Sequence, residues 1–259
     1  TLTPTQGGSL SFNETLFNLT ASYEVSDSVQ IYGGFSQGFT VADIGRSLTD
    51  MTFATITDVE SEAQLTDNFE LGARFNGSSW DATVVAFISE SDNGSTFQTG
   101  TINILKQPER IYGLEATANW VLSDTTRVGG TLTIMEGEVD TNDDGSFNED
   151  LPTTRIPPNK LTAYIDFVPN DRWSARLQAL YSASQNNNST AFGGGVDIDS
   201  YVVVDAFSAI KVRPGVMDIV IKNLFNEDYT PVVNQAYNSS FAYARAPGRT
   251  LSASYRVEF

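Results

Sequence analysis

The sequence predicts an all-β fold, an antiparallel β-barrel that crosses a membrane, and three observations predict it. About 11 segments alternate apolar and polar residues with period two, which gives each strand one apolar and one polar face. Their connections alternate between tight turns and long loops, as in a chain that crosses a bilayer back and forth. The final stretch, Arg249 to Phe259, sets Leu251, Ala253, Tyr255, Val257 and Phe259 against Ser252, Ser254, Arg256 and Glu258 and stops on a ring. A soluble sheet would account for the alternation alone. Apolar residues facing lipid, polar residues facing a lumen and an aromatic at the interface account for the ending as well, so Phe259 reads as an assembly signal.

The elements follow in order. Residues 1–13 are rich in Thr, Ser and Gly and read as loop. Phe17, Leu19, Ala21 and Tyr23 alternate with Asn18, Thr20, Ser22 and Glu24; a turn at Ser26-Asp27-Ser28 leads to a strand over Val29 to Ser36. Phe39 to Leu65 reads as a long loop. Phe69 to Phe75 and Trp80 to Ile88 flank Asn76-Gly77, a strong hairpin signal. Ser91 to Gln107 reads as loop, centred on Asp92-Asn93-Gly94. Tyr112 to Trp120 and Val128 to Ile134 flank the turn Ser123-Asp124-Thr125. Gly137 to Asn159 is the third long loop. Leu161 to Phe167 and Trp173 to Tyr181 flank Pro169-Asn170-Asp171. Another loop, Ser182 to Ser200, precedes a strand over Tyr201 to Val212, where Asp205 and Phe207 share a face. Arg213-Pro214-Gly215 turns into a strand around Met217, Ile219 and Ile221, and a last loop runs from Leu224 to Pro247. No segment of a dozen residues carries a 3.6-residue period, so no helix is expected. Trp80, Trp120, Trp173, Tyr23 and Tyr181 fall near strand ends on the apolar face, as an aromatic girdle would.

Composition narrows the chemistry. The 259 residues contain no His and no Cys, which removes the usual general base, thiol chemistry and disulfides. An enzyme is therefore not expected. The formal net charge of −17 lacks the basic footprint that nucleic acid requires. No apolar run is long enough for a membrane helix, and a mean hydropathy of −0.19 is what a barrel gives when polar lumen residues dilute the lipid face. Thr1 follows no recognisable leader, so the chain reads as a mature piece or a fragment.

Ile221 to Tyr229 reads IKNLFNEDY and Pro247 to Phe259 reads PGRTLSASYRVEF. Together these resemble the carboxyl end of TonB-dependent outer-membrane receptors, in which Asn-Leu-Phe and a following Tyr close the penultimate strand and Gly-Arg opens the last. YGGFSQGF at Tyr32, FELGARF at Phe69, YGLEATANW at Tyr112 and RIPPNKLTAYIDF at Arg155 are similar in the same register. The resemblance covers the whole chain. It implies that residues 1–259 are the carboxyl-terminal half of a barrel of about 22 strands, an open curved sheet in isolation with edges near Thr15–Glu24 and Arg249–Phe259. The plug domain and the segment that meets the TonB energy-coupling protein would lie upstream. The implied function is active uptake across the outer membrane of a Gram-negative bacterium, most often of a ferric siderophore. The alternatives are a soluble or surface β-sheet binding module and a passive porin-type barrel.

Two groups of residues are candidates for a site. Asp140, Asn142, Asp144 and Ser146 follow the first half of the calcium pattern D-x-[DN]-x-[DN]-G, with oxygen ligands at alternate positions, although Leu151 stands where that pattern has Glu. Calcium is the one ion the chain is expected to take; otherwise no cofactor is expected. The loop residues Phe97, Phe192, Asn234, Tyr237, Phe241 and Tyr243 combine rings and amides as ligand sites do.

Overall fold

The structure is a computed structural model and describes residues 9, 11–41, 63–97, 104–191, 194–237 and 244–257. One antiparallel sheet contains every strand. The strands are β1 Asn18–Ser26, β2 Val29–Val41, β3 Ala63–Asn76, β4 Trp80–Phe97, β5 Ile104–Ser123, β6 Thr126–Val139, β7 Glu149–Asp150, β8 Lys160–Asn170, β9 Trp173–Ser182, β10 Tyr201–Val212, β11 Gly215–Lys222 and β12 Thr250–Val257. Each pairs with its neighbour in sequence, except that the two-residue β7 pairs with β6 beside β8. The 11 strands on the main path are those the alternation predicts. Both margins are open: β1 pairs only with β2, and β12 only with β11. Residues 258 and 259, including the expected assembly signal Phe259, lie outside the described residues.

The five short connections each span two or three residues and all fall at one end of the sheet. The long connections fall at the other. Three expectations need correction. The stretch read as loop around Asp92-Asn93-Gly94 instead lengthens β4 to Phe97 and β5 back to Ile104. Its turn signal is absorbed by a register shift between Ser91 and Gly94, a bulge that sets one extra residue on β4. The region 137–159 is not wholly loop, since β6 runs on to Val139 and β7 pairs with it. The last loop contains a one-turn helix, α1 Val232–Ala236, too short for a periodic signal.

Register fixes the faces. Leu19, Phe35, Phe69, Ile88 and Tyr112 are successive partners across β1 to β5. Trp80, Trp120, Val128, Ile165 and Leu177 are successive partners from β4 to β9. This apolar face is bare: Leu19 is 72% exposed, Leu71 63%, Leu251 71% and Tyr255 46%. A soluble module of this size would bury such residues against a second layer. Only hydrocarbon suits a continuous exposed apolar wall of this extent. Tyr201, Val203, Asp205 and Phe207 take the opposite face of β10, as the sequence pattern indicates.

The apolar band has two limits. Trp80, Trp120 and Trp173 mark the short-turn end. At the loop end Tyr112 partners Glu136 in register, and Arg110 sits between Glu90 and Glu138. From Trp80 to Glu90 is ten residue steps, about 34 Å along a strand; a strand tilt of about 40° reduces that to about 26 Å, the height of an outer-membrane apolar belt.

The polar face is built from flat aromatic layers. The ring of Tyr32 covers Gly72, where a Cβ would lie 2.2 Å from the ring, and Arg74 stacks 4.6 Å above that ring. The same arrangement recurs with Tyr164 over Gly129 and Arg176 over Tyr164. A glycine is required at both places because the ring occupies the side-chain position.

Candidate ligand-binding outer loops

The long-connection end carries what core the described residues have. Val139, Leu151, Ile156 and Ala191 form a buried cluster, with Ile111 and Met135 packed against it. It lies on the polar face of the sheet, where the 140–159 loop folds inward over β5 and β6. Glu109, 3% exposed, anchors this fold through an ion pair to Arg155.

The 140–159 loop is fastened to the next. Thr153 Oγ1 donates to the Val196 carbonyl at 2.8 Å and accepts from its amide at 3.3 Å. The Glu149 carboxylate accepts from the Thr190 amide and hydroxyl, at 3.2 and 2.9 Å. The 183–200 loop is in turn held to the last. Gln235, on α1, accepts the Asp199 amide at 2.8 Å and donates to the Asp199 and Thr230 carbonyls. The rings of Tyr201 and Tyr229 stack at 4.4 Å. Burial pushes the Tyr229 phenol above its usual range, with Tyr201 and Asp205 adding to the effect. Buried Asn223 closes the turn after β11: its Oδ1 accepts from the Glu227 amide at 2.7 Å and its Nδ2 donates to the Glu227 carbonyl at 2.8 Å.

A polar cavity of about 330 Å³ opens between the last two loops. Asp197, Asp199, Glu227, Tyr229, Gln235 and Arg245 line it, and Arg245 pairs with Asp228. It presents carboxylates, an amide, a phenol and one guanidinium, groups suited to holding a polar solute through several hydrogen bonds.

Asp140 is 1% exposed. Its Oδ1 accepts from the amides of Asn142 at 3.0 Å and Asp144 at 3.4 Å, and its Oδ2 from that of Gly145 at 2.7 Å. Burial alone would push its carboxyl up; these amides together hold it below the usual carboxylate range. Asn142, Asp144 and Ser146 are exposed, and the Asp144 side chain accepts from the Ser146 amide. Among the described residues no three His, Cys, Asp or Glu are grouped to hold a metal. Phe147, close by, lies 4.3 Å under the Arg110 guanidinium at the outer margin of the apolar band.

The loop residues singled out in the sequence scatter. Asn234 and Tyr237 lie on and just after α1, Tyr237 with 55% exposure. Phe97 ends β4, its side chain outside the described residues; Phe192, Phe241 and Tyr243 lie outside them altogether. The sequence reading missed Gln235, Asp199 and Tyr201. Tyr201 reads as the first residue of a strand, and no pattern marks Gln235 as the residue that joins two loops.

Comparison places the chain. The family model described as TonB dependent receptor-like, beta-barrel, matches residues 1–250. The chain is 28% identical to a ferric aerobactin receptor of Klebsiella pneumoniae, over 98% of this chain and 37% of that protein. It is 25% identical to a rhizobactin receptor of Rhizobium meliloti (strain 1021), over 98% of this chain and 36% of that one. The chain thus spans little more than a third of these relatives' length. Among solved structures, the copper transporter OprC superposes with a TM-score of 0.76 at 20% identity, covering 93% of this chain and 39% of that one, a likeness of fold. The exposed apolar wall, the tied outer loops and the family match agree: the chain belongs to the TonB-dependent receptor β-barrel family and is part of an outer-membrane barrel of a Gram-negative bacterium.

Proposed function

We propose that the protein containing this chain takes up a ferric siderophore, or a similarly large and scarce iron chelate, across the outer membrane in a TonB-dependent way. Three loops fastened into one body over the polar face, with a polar cavity between two of them, carry this reading. A passive pore gains nothing from loops so tied; a receptor that must hold its solute before moving it does. The relatives named as ferric aerobactin and rhizobactin receptors support the solute class. The plug domain and the energy-coupling protein would be the polypeptide partners, acting through parts of the protein beyond this chain. The family is one of transport receptors and not of enzymes.

Uptake of radioactive iron tests this. Cells deleted for the gene should lose accumulation from a hydroxamate or citrate-hydroxamate chelate. Cells lacking the energy-coupling protein should lose it equally. Uptake that persists without energy coupling would point to a passive pore.

A further inference from the structure

Four of the chain's 15 Lys and Arg residues converge on one cavity at the short-turn end: Arg172, Lys211, Arg213 and Arg256. The cavity measures about 600 Å³ and lies between the β8–β9 turn, the β10–β11 turn and the end of β12. Register sets Lys211 opposite Val216, and Val216 opposite Arg256. Lys211 is in phase with Asp205 and Phe207, and Arg256 with Ser254, so both belong to the polar, inward face. Trp173, Met217 and Tyr255 take the lipid face beside them.

These cations are poorly neutralised. Arg256 reaches Asp218 only at 3.9 Å. Among the described residues Arg172, Lys211 and Arg213 make no ion pair, and Asp171 is the only carboxylate lining the cavity. In a chain of net charge −17, this reverses the prevailing sign at one place. Like charges brought together repel, and an anionic partner relieves that repulsion. The inward face directs the cavity away from lipid headgroups and towards whatever fills the lumen.

We propose that this cavity receives carboxylates of an acidic polypeptide segment lying inside the barrel at its short-turn end, contributed by a part of the protein outside residues 1–259. The inference rests on the reading of the chain as part of a larger uptake receptor. It assigns the contact a chemistry: Asp and Glu held by three arginines and a lysine, weakened by salt.

Carbodiimide coupling of the full-length receptor in its outer membrane tests it. The reagent activates a carboxyl, the Lys211 amine displaces the activating group as a urea, and an amide remains for peptide mass spectrometry to locate. Lys211 is expected to join an Asp or Glu outside residues 1–259. The yield should fall several-fold in high salt and in the double variant Arg172→Gln, Arg213→Gln, which keeps the reacting amine; heat-modifiable migration on a gel reports that the variant is folded. Joining only to Asp171 or Asp218, or a yield indifferent to the double variant, would overturn the proposal. So would shielding of Lys211 from acetylation that depends on phosphatidylglycerol in a nanodisc, which would assign the site to lipid. Iron uptake measured in the same cells reports separately on transport: uptake without the cross-link overturns this inference alone.

Discussion

The guanidinium of Arg176 lies 4.4 Å above the ring of Tyr164, and the same ring lies over Gly129. Three strands are joined there by one stack. The Tyr164 hydroxyl donates to Asn119 Oδ1 at 2.8 Å, and Arg176 holds Asp166 through two hydrogen bonds of 2.6 and 2.7 Å. In Gly129→Val the new Cβ would begin 2.5 Å from Asn119 Oδ1 and 2.7 Å from the ring. The ring must swing out, losing both the hydroxyl contact and the cation–π contact. The expected loss of stability is about 1–3 kcal/mol, read from the urea unfolding midpoint in phospholipid vesicles.

The face assignment makes an asymmetric prediction. Val84 lies midway along the apolar band, and Thr83 faces the other way. Val84→Arg should destabilise the reconstituted protein by about 2–4 kcal/mol, as arginine does at the bilayer midplane. Thr83→Arg should cost less than about 1 kcal/mol, because the polar face is hydrated. Equal losses would place the faces wrongly.

Arg155 neutralises a carboxylate that is 3% exposed. Arg155→Ala leaves Glu109 in place without that partner, and a loss of about 1–3 kcal/mol is expected locally. The change should appear as faster amide hydrogen exchange over residues 137–159, with strands β8 to β12 unaffected.

Asp140 makes the same loop sensitive to acid. Its folded carboxyl titrates below the unfolded value of about 3.9. Its contribution is therefore complete above about pH 4 and is lost as the pH falls from there through the lowered folded value. Exchange at Asn142, Asp144 and Gly145 should rise on acidification across that window. In Asp140→Ala it should be fast already at pH 7. Repeating the wild-type measurement with millimolar calcium tests the proposed ion: slowed exchange at Asn142 and Asp144 is the result expected if the loop binds it.

Gln235 spans two loops with three hydrogen bonds. Gln235→Ala should loosen the cavity between them and weaken ferric chelate binding about tenfold, equivalent to about 1.4 kcal/mol. Fluorescence quenching of the full-length receptor measures it. An unchanged affinity would move the binding site away from this cavity.

The strands were legible because a two-residue period needs only a few residues to declare itself. Leu251, Tyr255 and their neighbours state which face is apolar, and the register follows once tight turns fix the pairing. The loop end was harder to read for a physical reason. Asp92-Asn93-Gly94 looks like a turn, yet above the lipid a polar ladder forms without desolvation cost, and the extra residue becomes a bulge. Asp140 looks like a metal ligand because a side chain that accepts backbone amides and one that binds a cation use the same residue in the same local pattern. Gln235 carried no signal, since its partners at Asp199 and Thr230 belong to different loops and meet only after folding.

The two bare margins, β1 and β12, have a consequence for synthesis. A complementary half-barrel would have to form two seams, and forming the first tethers the partner beside the second, so that closure becomes effectively intramolecular. Halves made as separate chains should therefore recombine all at once, and a nick ahead of Asn18 should leave the closed wall standing. A half made with no complement would spend its spare N–H and C=O groups on copies of itself.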